Sequence, residues 1–251
     1  MRMRLCLLAL LLATPVCAQD MPLSQILKEG ETWRRVEGKF EPIGGLLWDR
    51  KNQRLELFDP AGKPLALLGE DLKSIPGKPE GNFGQHLVNV RDKIDYKVEN
   101  GKLFKKGFEV KLPLKEISDI IDWEDGGTVV VADPSDRYLW AFRVEKDGSL
   151  GPGDRYYRLF VRRGETRSEA KEMMTDNLHR LYVGSKEGIQ VFDPTGRLCG
   201  VLTKASDEPI TALNFGGEKG DLLFVAHGKE LYVRKMTAQA HYIPLPAPKK
   251  K

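Results

Sequence analysis

Four histidines, three cysteines (two of them among the first 17 residues), a basic run and a scatter of loop carboxylates are the side chains here with which chemistry could be done. His86, His179, His227 and His241 lie far apart, and no Cys/His metal spacing joins them. His179 and His227 border turns, and neither has an obvious acid or nucleophile partner in sequence to build a relay. Cys199 stands inside Arg197-Leu-Cys-Gly-Val201, a strand reading in which the thiol is expected to be buried and inert. No Gly-rich phosphate loop, nucleophile elbow or metalloprotease helix occurs. Arg162 and Arg163, with Arg167 and Lys171, form a basic stretch around Gly164. A stretch of that kind can take an anionic sugar or phosphate, or simply form a solvated face. Arg162 and Arg163 are the candidate substrate-binding residues.

The elements that must position these groups are short strands. Apolar or alternating runs recur between turn residues: Arg54–Phe58, Thr128–Ala132, Arg180–Gly184, Ile189–Phe192 and Asp221–Ala226. Their length, β-branching and flanking Gly, Asp and Pro predict strands. Hairpin turns are expected at Asp125-Gly126, Asp147-Gly148, Asp59-Pro-Ala-Gly62 and Asp193-Pro-Thr-Gly196. Only Met21–Lys28 offers a helical turn or two.

The runs repeat on a larger scale. Thr128–Asp133, Tyr138–Val144 and Arg155–Phe160 form one unit; Leu181–Ser185, Gly188–Phe192 and Arg197–Leu202 form the next. Leu222–His227 and Leu231–Lys235 begin a third, Leu46–Leu68 resembles them, and residues 83–112 give a weaker unit. Matching strands start about 40–50 residues apart, the period of a propeller blade. The expectation is an all-β propeller of five to six short four-stranded blades. Either a sixth unit is cryptic, or one sheet is closed by strands from both termini; a β-sandwich is the alternative. Within this scheme Trp140, Tyr156 and Tyr157 read as core or inter-blade packing rather than a sugar-stacking platform.

The ends carry separate signals. Met1–Arg4 is basic, Leu5–Ala13 apolar, and Thr14-Pro-Val-Cys-Ala18 short-chained, the order of a secretory signal peptide cleaved after Ala18. A lipid anchor at Cys17 is the competing reading, disfavoured by Pro15 and Val16. The apolar run is far shorter than the ~20 residues of a membrane span. The organisation expected is signal peptide 1–18, N-terminal segment 19–34, propeller 35–243 and a Pro/Lys-rich tail 244–251. The chain has 40 basic and 36 acidic residues; loss of Arg2 and Arg4 leaves 38 against 36. So small a surplus does not describe a nucleic-acid binder. Cleavage also leaves Cys199 alone, so no internal disulfide can form.

Residues 170–235 carry a recognisable pattern. Asp176-Asn-Leu-His-Arg-Leu-Tyr-Val-Gly184 followed by Gly188-Ile-Gln-Val-Phe-Asp-Pro-Thr-Gly196 resembles the "GNLYV…GIQVFDPDGK" stretch of the gluconolactonase/regucalcin (senescence marker protein) family. Pro209–Gly217 with Leu222–Ala226 and Leu231–Arg234 is similar to its "TNCAFGG…TLYVT…LYRV" ending. Gly126–Asp133 and Asp147–Leu150 look like "GKTLYVAD…DGSL", and Leu47-Trp-Asp49 like "EGPVWD". The resemblance implies a six-bladed propeller hydrolysing sugar lactones and related esters. It also implies a divalent cation, usually calcium, held by oxygen ligands at the channel. Such an ion polarises the carbonyl and acidifies a water whose proton a carboxylate takes.

Position by position, the implied ligands are replaced. The first-blade Glu falls on Gly44, the "PNGL" Asn on Ser118, the "PDGM" Asp on Lys171 and the "TNCAFGG" Asn on Ala212. Asp119 and Glu172 each follow a replaced position by one residue, in loops leading into strands. A one-residue slip makes them the candidate metal ligands, with Glu172 as candidate base and Glu41 as a third donor. Two functions follow. One is a secreted or periplasmic non-catalytic propeller, without cofactor, binding a small sugar-derived ligand or an extracytoplasmic protein or glycan. The other is a hydrolase dependent on Ca2+ or another divalent cation.

Overall fold

The computed structural model describes residues 22–81, 83, 86–89, 94–123 and 126–241. The predicted signal peptide 1–18, the 244–251 tail and Asp125 of the predicted Asp125-Gly126 turn lie outside the described residues. A 3-10 turn at Leu23–Gln25 precedes strand β1 (Arg34–Arg35). Blade 1 holds β2 (Gly45–Asp49), β3 (Arg54–Phe58), β4 (Pro64–Leu68) and β5 (Ser74–Ile75). Blade 2 holds β6 (His86–Asn89), β7 (Ile94–Glu99), β8 (Lys102–Lys105) and β9 (Phe108–Val110). Blade 3 holds β10 (Asp119–Asp122), β11 (Thr128–Ala132), β12 (Tyr138–Val144) and β13 (Leu150–Arg158). Blade 4 holds β14 (Met173–Thr175), β15 (Leu181–Ser185), β16 (Gly188–Phe192) and β17 (Leu198–Leu202). Blade 5 holds β18 (Ala212–Gly216), β19 (Leu222–His227) and β20 (Glu230–Lys235), with β1 as its outer strand.

The architecture is thus a five-bladed β-propeller of four-stranded antiparallel sheets. The six blades implied by the resemblance are corrected to five. Of the open alternatives, closure by both termini is the one built: Arg34 pairs with Val233 and Arg35 with Tyr232. Adjacent sheets meet through their inner strands, β18 with β2, β6 with β10, β10 with β14 and β14 with β18. That radial arrangement excludes the sandwich. The weak unit at 83–112 is blade 2, and the segment that supplies the last blade's inner strand is Ala212–Gly216.

Central strands face a neighbouring blade on both sides, so they read as continuous apolar runs; β15 and β16 are buried at every position. Among the described residues the core divides into four clusters, each between two blades. Trp48 of blade 1 stacks on Phe224 of blade 5 at 6.1 Å between ring centres. The blade 4–blade 5 cluster takes in Ile26, brought there from the N-terminal segment. An isolated bridge, Leu27 to Met236, fastens that segment. Polar side chains staple the same joints. Tyr96 Oη donates to Gly148 O at 2.9 Å, and Gln190 exchanges two bonds with the main chain of Phe160. The predicted Asp turns at 59, 147 and 193 form, each Oδ1 accepting main-chain N–H bonds two residues on. No helix among the described residues is long and apolar enough to cross a membrane.

One buried ion pair lies within blade 4. Arg180 Nε meets Asp176 Oδ2 at 2.5 Å, Tyr182 donates to the same oxygen, and Asp176 Oδ1 accepts from Leu178 and Arg180 N–H. Both side chains are fully buried. Asp176→Ala strands the guanidinium, and an uncompensated buried charge costs about 3–5 kcal/mol. The expected outcome is a loss of that size in urea unfolding.

Candidate functional site

The leading ends of four inner strands, β2, β10, β14 and β18, converge at one face of the disc. They open on a cavity of about 1230 Å3 whose wall includes Gly44, Ser118, Lys171, Glu172 and Thr211. The fold therefore brings together the positions singled out by spacing, although up to 167 residues separate them in the chain. Ala212, next to Thr211, is buried as the first residue of β18.

Each position has a local reason for its residue. Gly44 donates its N–H to Phe58 O at 2.8 Å, and an added Cβ would run into the Pro60 main chain. The β3–β4 turn thus occupies the space a first-blade side chain needs. Ser118 Oγ donates to Ala170 O at 2.7 Å, joining blade 3 to blade 4. Lys171 N–H donates to Gly184 O and Gly184 N–H to Glu172 O, extending the β14–β15 ladder by two residues. Lys171 is consequently exposed and Glu172 buried, on alternate sides of the strand.

Asp119 is the first residue of β10 rather than a loop residue. The predicted loop position fails because Asp-Ile-Ile-Asp is itself a strand, paired Asp119 to Ala132. Its Oδ2 accepts from Met173 N–H at 2.6 Å and its Oδ1 from its neighbour Ile120 at 2.8 Å. The carboxylate thereby fastens blade 4 to blade 3. Burial, reinforced by the nearby Glu172 charge, holds the Asp119 carboxyl well above the usual carboxylate range, while those two N–H bonds oppose the shift. Asp119 and Glu172 are thus brought together, as the slip reading requires. Glu41 is not: it is exposed and pairs with Lys229 at 3.2 Å. Among the described residues no group of three His, Cys, Asp or Glu side chains gathers to hold a metal.

Arg162 and Arg163 are exposed and do not line the cavity; Arg162 pairs with Glu187 at 2.9 Å. His227 is buried, its Nδ1 2.8 Å from Glu208 O, and burial depresses its pKa. Cys199 lies on β17, as expected, yet it is half-buried because it belongs to an outer strand. Burial pushes its thiol up. Sequence reasoning missed Glu56, Glu99 and Glu116, which line the cavity from β3, the end of β7 and the approach to β10. No motif marks them; only the meeting of blades 1, 2 and 3 does.

A pH test isolates the carboxylate pair. Asp119 ionises more readily in the unfolded chain, so its contribution favours folding at low pH. It is lost as pH rises from about 4 through the raised folded value. Glu172→Gln removes the like charge, so the loss should shrink. Urea midpoints at about pH 5 and pH 8 should show the variant gaining on the parent as pH rises.

No protein-family profile matches the sequence, and no curated protein matches it. Solved structures do. A luciferin-regenerating enzyme superposes with TM-score 0.65 at 11% identity, covering 84% of this chain and 98% of that one. A candidate gluconolactonase gives 0.52 at 15%, covering 87% and 97%. A Bacteroides thetaiotaomicron protein of unknown function gives 0.53 at 12%, covering 83% and 73%. At such identities the likeness concerns the fold, and the chain has a gluconolactonase-like β-propeller fold.

Proposed function

We propose that this chain is a secreted or periplasmic binding propeller, non-catalytic and descended from a lactone-hydrolase scaffold. Its channel-mouth face receives a small sugar-derived ligand or an extracytoplasmic protein or glycan. The observation that carries this reading is Gly44, where the Pro60 main chain leaves no room for a side chain of any kind. The other implied ligand positions support it. Ala212 has no donor atom, Ser118 spends its hydroxyl on Ala170 O, and Lys171 places a cation at the mouth. A hard divalent cation needs about six to eight oxygens at close range, and this set does not fit one.

A cation-dependent sugar-lactone hydrolase is favoured by one observation, the juxtaposed Asp119 and Glu172. Against it, both Asp119 oxygens already accept main-chain N–H bonds, and burial favours the uncharged acid.

Thermal unfolding with and without Ca2+, Mg2+, Mn2+ and Zn2+ separates the two. A ligand at 100 times its Kd adds about 2.7 kcal/mol of stability, several degrees in Tm for a domain of this size. The expected outcome is no shift with any of the four and no hydrolysis of glucono-1,5-lactone. A rise with Ca2+ that Glu172→Gln abolishes would overturn the proposal. On an immobilised glycan panel, Arg162→Ala with Arg163→Ala should reduce retention severalfold. Arg162 is exposed but the Glu187 side chain it pairs with is largely buried, so Arg163→Ala alone, which leaves that pair intact, should lower retention with Tm hardly moved.

A further inference from the structure

The opposite end of the cleft between blades 3 and 4 contains a second concavity, of about 300 Å3. Its floor is one face of the blade 3 sheet, where Thr128, Val130 and Ala141 present small side chains in register. Its walls are aromatic: Trp123 at the end of β10, and Tyr156 and Tyr157 on β13. Tyr157 lies 5.8 Å from Trp123 and 4.8 Å from Tyr156 between ring centres, the latter edge to face. Arg143 and Asp154 stand at the rim, both exposed and with no partner among the described residues. Tyr157 is fully buried, as expected of a packing residue, but its hydroxyl has no hydrogen-bond partner. Tyr156 is half-exposed because it sits on an edge strand, and its ring packs between blades against Gly196, as expected.

These walls are held in place from blade 4. The Asp193 turn is closed by three bonds to Asp193 Oδ1, and its Gly196 leaves room for the Tyr156 ring. Tyr156 Oη reaches Thr195 O at 3.4 Å. A site whose rings are fixed beforehand loses little entropy on binding.

We infer that this pocket binds one neutral sugar ring, either a free hexose or the terminal residue of a glycan. Aromatic faces such as the half-exposed Tyr156 ring suit the C–H faces of a pyranose, and Arg143 and Asp154 at the rim suit its hydroxyls. One cation and one anion at the rim hydrogen-bond hydroxyls without selecting a net charge. The volume matches the small end of ligand sites. The pocket lies away from the channel mouth, so the inference stands apart from the reading proposed for that face.

Trp123 fluorescence and calorimetry on the full chain test it, with glucose, galactose and mannose as free hexoses and their trisaccharides as glycan ends. Saturable binding of either source is expected. Asp154→Asn or Arg143→Ala should weaken it severalfold without unfolding, and Tyr156→Ala, which removes the accessible ring, should weaken it about tenfold. Lys171→Glu, on the channel face, should leave it unchanged. No saturable response to any of these sugars would overturn the inference. Binding that Tyr156→Ala, Asp154→Asn and Arg143→Ala leave intact would also overturn it.

Discussion

Everything in this molecule depends on blades that are apolar on both faces. A four-stranded sheet such as β14–β17 cannot satisfy that condition alone, because strands buried at every position require cover on each side. Five sheets around an axis supply the cover mutually, and the ring must then close. Closure here is a two-residue strand, Arg34–Arg35, on the outer edge of blade 5. It is supported by Ile26 and the Leu27–Met236 bridge, so apolar burial between blades 4 and 5 reinforces what two strand pairs begin.

The same constraint explains the polar chemistry at the inner strands. Where the resemblance leads one to expect ligands for an ion, this chain has bonds that tie blades together. Ser118 reaches Ala170 O, Asp119 reaches Met173 N–H, and Asn214 donates to Leu46 O at 3.0 Å. Each spans a joint between neighbouring blades. A carboxylate engaged in this way stabilises the ring while remaining hard to ionise, which suits a staple better than a base.

Glycine serves the ring in a different manner. At Gly45 and Gly62 a side chain would meet Phe83, which stacks on Phe58 at 5.3 Å. Together with Gly44 against Pro60, these positions let the start of β2, the β3–β4 turn and Phe83 close on one another. The cavity wall on that side is thereby built from main chain and an aromatic ring.

Much of the fold was legible in the residues alone. The Asp turns, the buried central strands and the blade-length repeat follow from local chemistry: turn residues, β-branching and period. What escaped were the inner strands β10, β14 and β18, short segments whose apolar runs are bounded or interrupted by Asp, Thr and Asn. Blade number escaped as well, since it depends on how wedges of given width fill a circle. At the candidate site the sequence determined which residue types stand before each inner strand, and hence that Gly44, Ser118, Lys171 and Ala212 bring no carboxylate. Only the tertiary structure decided that Pro60 blocks Gly44, that Asp119 is buried beside Glu172, and that Glu56, Glu99 and Glu116 share their cavity. The reason is physical: these are relations between blades, set by packing across the ring, and no local periodicity encodes them.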